Sequence, residues 1–348
     1  MTGRLHADST FNLCLLGFGN VGRALVELLL EKREVLASEH GIAWRITGVA
    51  TRGRGWIAQP DGLDPQALLE GSLTADGAEP ATVEDWLRAA HADILFENTS
   101  LNAETGQPAI AHLRDALQAG AHAITANKGP VVHAYEELSQ LALRRSRRFL
   151  FESVVMDGVP IFSMFRETLP LVEVNGFRGV LNSTSNVILG GMEAGKSFEE
   201  SLRAAQAAGV AETDPAADID GWDAAVKVAI LVTVLMKQPL KPQQVEREGI
   251  RGLTRAALRH ALAAGRRYKL MCEAKRSSGS IHARVRPEEV LFHDALARVE
   301  GTSSAITFFT DIFPALTIFE ENPGPKATAY GLLADFITAV RRPAPKET

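Results

Sequence analysis

Gly17-Phe18-Gly19-Asn20-Val21-Gly22 is a G-x-G-x-x-G turn set directly after the apolar run 11–16 and directly before a helical pattern. In that setting Gly17 permits the tight turn, Gly19 lets the backbone approach a pyrophosphate, and Gly22 allows close helix–strand packing. Asn20 and Val21 open a helix whose free N–H groups and positive dipole end suit an anion. A glycine-rich turn without a ligand is the competing reading; the strand before, the helix after and further βα units favour a dinucleotide. A ribose held through its 2′-hydroxyl would need an acid where the second strand ends. That strand runs out instead into Ala50-Thr51-Arg52-Gly53-Arg54. Arginines there, Arg52 first, suit a 2′-phosphate and point to NADP, with NAD as the alternative; otherwise they are solvated loop residues.

The second chemical segment lies far along the chain. Glu212, Asp214, Asp218 and Asp220 fall in one polar stretch, and Asp223 and Lys227 then stand at i,i+4 on an otherwise apolar helix. A lysine among Val226, Val228, Ala229 and Ile230 must snorkel or find a partner, and Asp223 is that partner by spacing. A structural ion pair is one reading. Beside a nucleotide domain, the other is a lysine that polarises a substrate carbonyl and delivers a proton to its oxygen.

The elements that must position these residues change in kind along the chain. Up to about residue 150, apolar runs at 11–16, 44–50, 94–97, 121–125 and 149–152 alternate with helical stretches. The clearest of these, 21–37, carries the stripe Val21, Leu25, Leu28, Leu29 and Leu36. Such alternation predicts an α/β domain with a parallel sheet, interrupted by irregular insertions at 52–65 and 70–80. Helical periodicity then dominates 182–236, broken at 212–220, and strand-like runs at 267–275, 280–285 and 304–309 predict an antiparallel or mixed sheet. A last helix fits 327–341.

Composition narrows the class. The 348 residues are 46% hydrophobic, and Lys+Arg 37 against Asp+Glu 42 gives a net charge of −5, without the basic excess of a nucleic-acid binder. Cys14 and Cys272 allow no disulfide framework and no cysteine-rich metal site. The most apolar segment, 224–236, is too short to span a bilayer and contains Lys227. Residues 1–10 lack the apolar run of a secretory leader, so the expectation is a cytoplasmic protein with no membrane or nucleic-acid partner.

Over nearly the whole chain these residues resemble the homoserine dehydrogenases. The likeness rests on the glycine turn, on Glu97-Asn98-Thr99-Ser100, on Thr125-Ala126-Asn127-Lys128-Gly129-Pro130, and on Gly158-Val159-Pro160-Ile161. It continues through Leu181-Asn182-Ser183-Thr184-Ser185-Asn186-Val187-Ile188-Leu189, the segment from Ala211 to Lys227, and Pro323-Gly324-Pro325-Lys326-Ala327-Thr328-Ala329. Ser183, Ser185 and Val187 stand where the family more often has Gly, Thr and Tyr, and Met156-Asp157 replaces a pair of small residues.

The resemblance implies an NAD(P)-dependent oxidoreductase acting on a CH–OH group. It would interconvert L-homoserine and L-aspartate 4-semialdehyde, a step toward threonine, methionine and isoleucine. It implies a Rossmann-type dinucleotide-binding domain at 1–150, an α+β substrate and dimerisation domain at 151–321, and a C-terminal segment 322–348 returning to the first. Lys227, Asp223 and Lys128 would be catalytic, and Glu212, Asp218 and Asp214 would hold the amino-acid substrate. Gly17, Gly19, Asn20, Val21, Gly22, Arg52, Asn98, Thr99, Ser100, Lys128 and Gly324 would contact the cofactor. A sodium-type monovalent cation would sit at Glu152, Val155, Asp157 and Val159, and strands within 304–319 would form a homodimer contact. The length leaves no room for the regulatory domain of longer relatives. Two other readings stay open: a dehydrogenase of the same fold acting on a related amino acid or semialdehyde, and a catalytically silent NADP-binding protein.

Overall fold

The computed structural model describes residues 10–75 and 80–341. Residues 1–9, read above for the lack of a leader, lie outside it, as do 76–79 of the 70–80 insertion and 342–348 of the C-terminal segment. The chain forms two units, one running to Pro160 and resuming at Gly324, the other covering Ile161–Pro323.

The early apolar runs build the first unit's sheet. Its strands are β1 (Thr10–Leu16), β2 (Ala43–Thr51), β3 (Gly55–Leu63), β4 (Ile94–Glu97), β5 (His122–Thr125) and β6 (Phe149–Leu150), in the order β3-β2-β1-β4-β5-β6. All neighbours are parallel except β3, which runs antiparallel to β2. Parallel pairs need crossovers, and helices supply them: α1 (Asn20–Glu31) and α2 (Arg33–His40) after β1, α3 (Ala109–Ala119) after β4, α4 (Lys128–Arg144) after β5.

Three local expectations are corrected. The insertion 52–65 is largely a strand. Gly53, Pro60 and Gly62 disguise its pattern, and the short link from Thr51 to Gly55 cannot cross over, so the segment folds back as an edge strand, where proline is tolerated. The helix expected over 21–37 is two helices, because Lys32 leaves helical geometry at φ −98°, ψ 6°. The strand expected over 149–152 stops at Leu150, and Glu152 opens a 3₁₀ turn.

The core of this unit draws Leu13, Leu15, Leu25, Leu29, Val49 and Phe96 together with Leu332, Leu333 and Phe336 of the C-terminal helix Pro325–Arg341. Phe336 meets Phe11 and Phe96 edge to face, with ring centroids 6.1 and 6.3 Å away. The fully buried ring contributes about 1.5–3 kcal/mol by area alone. The same helix packs backbone to backbone on the turn after β6, where a Cβ on Gly331 would lie 2.2 Å from Ser153 Oγ. Ser153 Oγ donates to Thr328 O at 2.8 Å, and Thr328 Oγ1 to Asp157 Oδ1 at 2.6 Å.

The second unit holds a mixed sheet of β7 (Val174–Val180), β8 (Glu246–Arg247), β9 (Arg266–Ser277), β10 (Ser280–Leu291), β11 (Ser304–Thr310) and β12 (Leu316–Glu320), ordered β12-β11-β7-β9-β10-β8. Only β8 and β10 pair in parallel. Strand β7 escaped the sequence reading because Gly176 and Gly179 break its apolar alternation. It leads through Leu181 and Asn182 into α5 (Ser183–Glu193); α6 (Ala216–Ile219) is a short helix within the acidic stretch, carrying Asp218, and α7 (Trp222–Leu235) follows it. Helix α7 packs on β9 and β10 and is apolar nearly all round, with Ala224 to Val226 and Val228 to Val232 buried. Such a helix is stable only inside a protein. Among the described residues no helix is long and apolar enough to cross a membrane.

Candidate active-site residues in the two units

In the first unit the sheet order reverses direction between β1 and β4, and a cavity of about 840 Å³ opens at the carboxyl ends of those strands. That is where open α/β sheets bind ligands. Gly17, Gly19, Arg52, Asn98, Thr99 and Ser100 line it, and among the described residues no carboxylate does. Gly17 has φ +92°, and a Cβ on it would lie 2.5 Å from Asn98 O, so the turn admits no side chain there. Gly19 caps α1 with no side-chain hydrogen bond, leaving the first-turn N–H groups for an anion.

The cavity fits a dinucleotide in a further respect. Both amide atoms of Asn98 and Nδ1 of His112 are buried without a hydrogen-bond partner among the described residues, and both side chains line the cavity. Buried polar groups of this kind need a partner. Arg52 is exposed and makes no hydrogen bond or ion pair among the described residues, whereas Arg54 donates to Leu68 O at 3.3 Å and lies over the Phe18 ring. Of the other residues expected at the cofactor, Asn20, Val21 and Gly22 form the start of α1. Lys128 begins α4 and Gly324 stands before the C-terminal helix; neither is part of the cavity wall.

Sequence reasoning missed what holds this wall. Glu97 is fully buried at the end of β4. Its Oε1 accepts from Thr99 N at 3.0 Å and from Thr99 Oγ1, and its Oε2 from Thr125 Oγ1 at 2.9 Å. Thr125 Oγ1 in turn accepts from Asn127 N at 2.9 Å, Asn127 Nδ2 donates to Thr99 O, and Asn127 Oδ1 caps α4 through Gly129 N at 3.0 Å. One carboxylate thus ties the loop bearing Asn98, Thr99 and Ser100 to the helix that begins with Lys128. The acid between two apolar residues and a polar tripeptide was the available signal.

In the second unit Lys227 Nζ lies 3.7 Å from Asp223 Oδ2 and donates to Leu181 O at 2.6 Å; the two side chains are only 14% and 17% exposed. Asp218 Oδ1 and Asp223 Oδ2 both accept from Asn182 Nδ2, at 2.7 and 3.1 Å. The structure therefore brings Lys227, Asp223 and Asp218 together. Asp214 serves as a turn cap, its Oδ1 accepting from Ala216 N, and Glu212 is exposed with no side-chain partner among the described residues. An ammonium held beside one carboxylate, with a second on the same amide, can donate a proton to a carbonyl oxygen while the acids hold a cationic group.

The four residues expected at a cation lie on the turn after β6. Glu152 is buried, its N–H donating to Asp335 Oδ2 at 2.7 Å; the Asp157 carboxylate is engaged by Thr328; Val159 N donates to Met156 O. Both cysteines are buried, and desolvation pushes each thiol up to about 12, which removes them as nucleophiles at neutral pH.

Comparison with known proteins gives a consistent result. The family model described as homoserine dehydrogenase matches residues 160–337, and that of the homoserine dehydrogenase NAD-binding domain matches 17–152. An NAD(+)-dependent homoserine dehydrogenase of Pseudomonas canavaninivorans is 36% identical over 94% of this chain and 95% of its own. The crystal structure of a homoserine dehydrogenase from Thiobacillus denitrificans matches with a TM-score of 0.83 at 30% identity, over 96% of this chain and 74% of that one. A hyperthermophilic archaeal homoserine dehydrogenase mutant in complex with NADPH matches with a TM-score of 0.81 at 28% identity, over 97% and 99%.

The Glu97 network makes a prediction of its own. In Glu97→Gln the amide can serve Thr99 or Thr125 but not both as acceptors, so the nicotinamide dinucleotide should bind about tenfold or more weakly. Titration of cofactor fluorescence on the folded variant checks this; unchanged binding would show that the loop is held by other means.

Proposed function

The chain belongs to the homoserine dehydrogenase family, and on that premise we propose that it reduces L-aspartate 4-semialdehyde reversibly to L-homoserine, a step of amino-acid biosynthesis. The observation that carries this reading is Lys227, an ammonium fixed on a buried helix between Asp223 and Leu181 O, with Asp218 sharing the Asn182 amide that holds Asp223. The bound nicotinamide dinucleotide supplies the hydride. As the aldehyde carbon is reduced, negative charge grows on its oxygen, and Lys227 stabilises that charge and delivers the proton. Asp223 orients Lys227 from one turn earlier. Glu212 and Asp218 hold the substrate ammonium group, with Asp214 shaping the loop between them. Lys128, at the start of α4 and next to Asn127, takes a supporting role on the cofactor side, where Thr99 and Ser100 line the nicotinamide.

NADP is the proposed cofactor. Among the described residues Arg52 is unengaged at the end of β2 and no acid lines the cavity to receive a 2′-hydroxyl. The relatives' names span both cofactors, one NAD(+)-dependent and one bound to NADPH. The reading extends to a cytoplasmic homodimer, paired through the half-exposed Phe309 and Phe319 and the exposed Ile312 around β11 and β12. It also extends to a sodium-type ion at Glu152, Val155, Asp157 and Val159, where one carboxylate and backbone carbonyls would offer hard oxygens.

Lys227→Ala should lose most of kcat while NADPH still binds, and Glu212→Gln should mainly raise the Michaelis constant for substrate. A folded Lys227→Ala enzyme with near-normal kcat would move the donor role to Lys128. Arg52→Ala should raise the Michaelis constant for NADPH about ten- to a hundredfold and leave that for NADH nearly unchanged. A wild type preferring NADH would assign the arginines elsewhere. Light scattering at micromolar concentration and assays in sodium against choline buffers test the last two points: a dimer and faster turnover with sodium are expected, and a monomer or equal turnover would remove the respective claim.

A further inference from the structure

Asn182 ends the link between β7 and α5 and is buried. Its Oδ1 accepts from Ser185 N at 2.9 Å, capping α5, and that bond fixes which way the amide faces. Nδ2 has two hydrogens, and the structure uses both, one on Asp218 of α6 and one on Asp223 of α7. The preceding residue, Leu181, offers its carbonyl to Lys227. Two consecutive residues thus hold both members of the Lys227–Asp223 pair and the neighbouring acid. The pair's geometry is set from a separate element, beyond what i,i+4 spacing gives.

We propose that Asn182 is a positioning residue for the reaction: its amide keeps the Asp218 and Asp223 carboxylates side by side, so that one orients Lys227 and the other receives the substrate ammonium. The inference rests on the function proposed above. The two N–H groups of one amide fix where both carboxylates stand. The charged groups around the amide are Asp218 from α6 and Asp223 and Lys227 from α7. The Cys272 thiol, which senses Lys227 and Asp223 from β9, stays neutral through burial.

Two variants separate capping from positioning. Asn182→Ser keeps a good helix cap but loses the paired donors; Asn182→Asp also caps but replaces the donors with a third carboxylate. Both should melt near the wild type and bind NADPH normally. The serine variant should lose about tenfold in kcat and the aspartate variant about a hundredfold at neutral pH. Because the amide places one carboxylate for Lys227 and the other for the substrate ammonium, the Michaelis constant for homoserine should rise about tenfold in both variants while that for NADPH stays within twofold, a split that a purely structural role would not give. If both keep kcat and the Michaelis constant for homoserine within twofold while the wild type turns over homoserine, the proposal is overturned and the proposed function stands. A wild type inactive on homoserine would overturn the function first and this inference with it.

Discussion

A charged ammonium on a helix that is apolar on every side is the constraint on which the second unit depends. Lys227 is mostly withdrawn from water, and a charge so placed needs partners. The surrounding elements answer that demand. Asp223 comes from the same helix, the Leu181 carbonyl from the end of β7, and Asn182 restrains Asp223 from the start of α5. Where β7 ends, where α5 begins and how the acidic loop returns to α7 all bear on one nitrogen. The cost of burying the charge is what holds it in a defined place, and a defined place is what proton delivery requires.

The first unit solves the mirror problem with a buried anion. Glu97 sits at zero exposure at the end of a four-residue strand, and its oxygens are met by Thr99 and Thr125. Those threonines carry the arrangement outward, one into the cavity wall and the other through Asn127 into α4. A glycine turn alone would give a surface for a pyrophosphate. The carboxylate network gives the opposite wall of the cavity a fixed shape.

Much of this was legible in the sequence because local rules govern it. The turn Gly17–Gly22 is legible since strand, glycine spacing and helix are contiguous, and the Lys227–Asp223 pair since both lie on one helical face. The rest depends on partners distant in sequence. Glu97 read only as part of a resemblance, because Thr125 lies 28 residues away. Asn182 carried no signal of its own, with Asp218 and Asp223 36 and 41 residues on. Strand β3 was hidden by Pro60 and Gly62, which an edge position tolerates, and β7 by Gly176 and Gly179. The break at Lys32 falls where the stripe skips one turn between Leu29 and Leu36, a gap that the 3.6-residue period bridges on paper.

Reduction of L-aspartate 4-semialdehyde by a nicotinamide dinucleotide is the activity to which the family membership commits this chain. Purified enzyme supplied with L-aspartate 4-semialdehyde and either NADPH or NADH tests it most directly, with cofactor oxidation and homoserine formation followed together. The account predicts stoichiometric homoserine, formed faster with NADPH than with NADH at equal concentration. Cofactor binding without homoserine formation from either dinucleotide would contradict it.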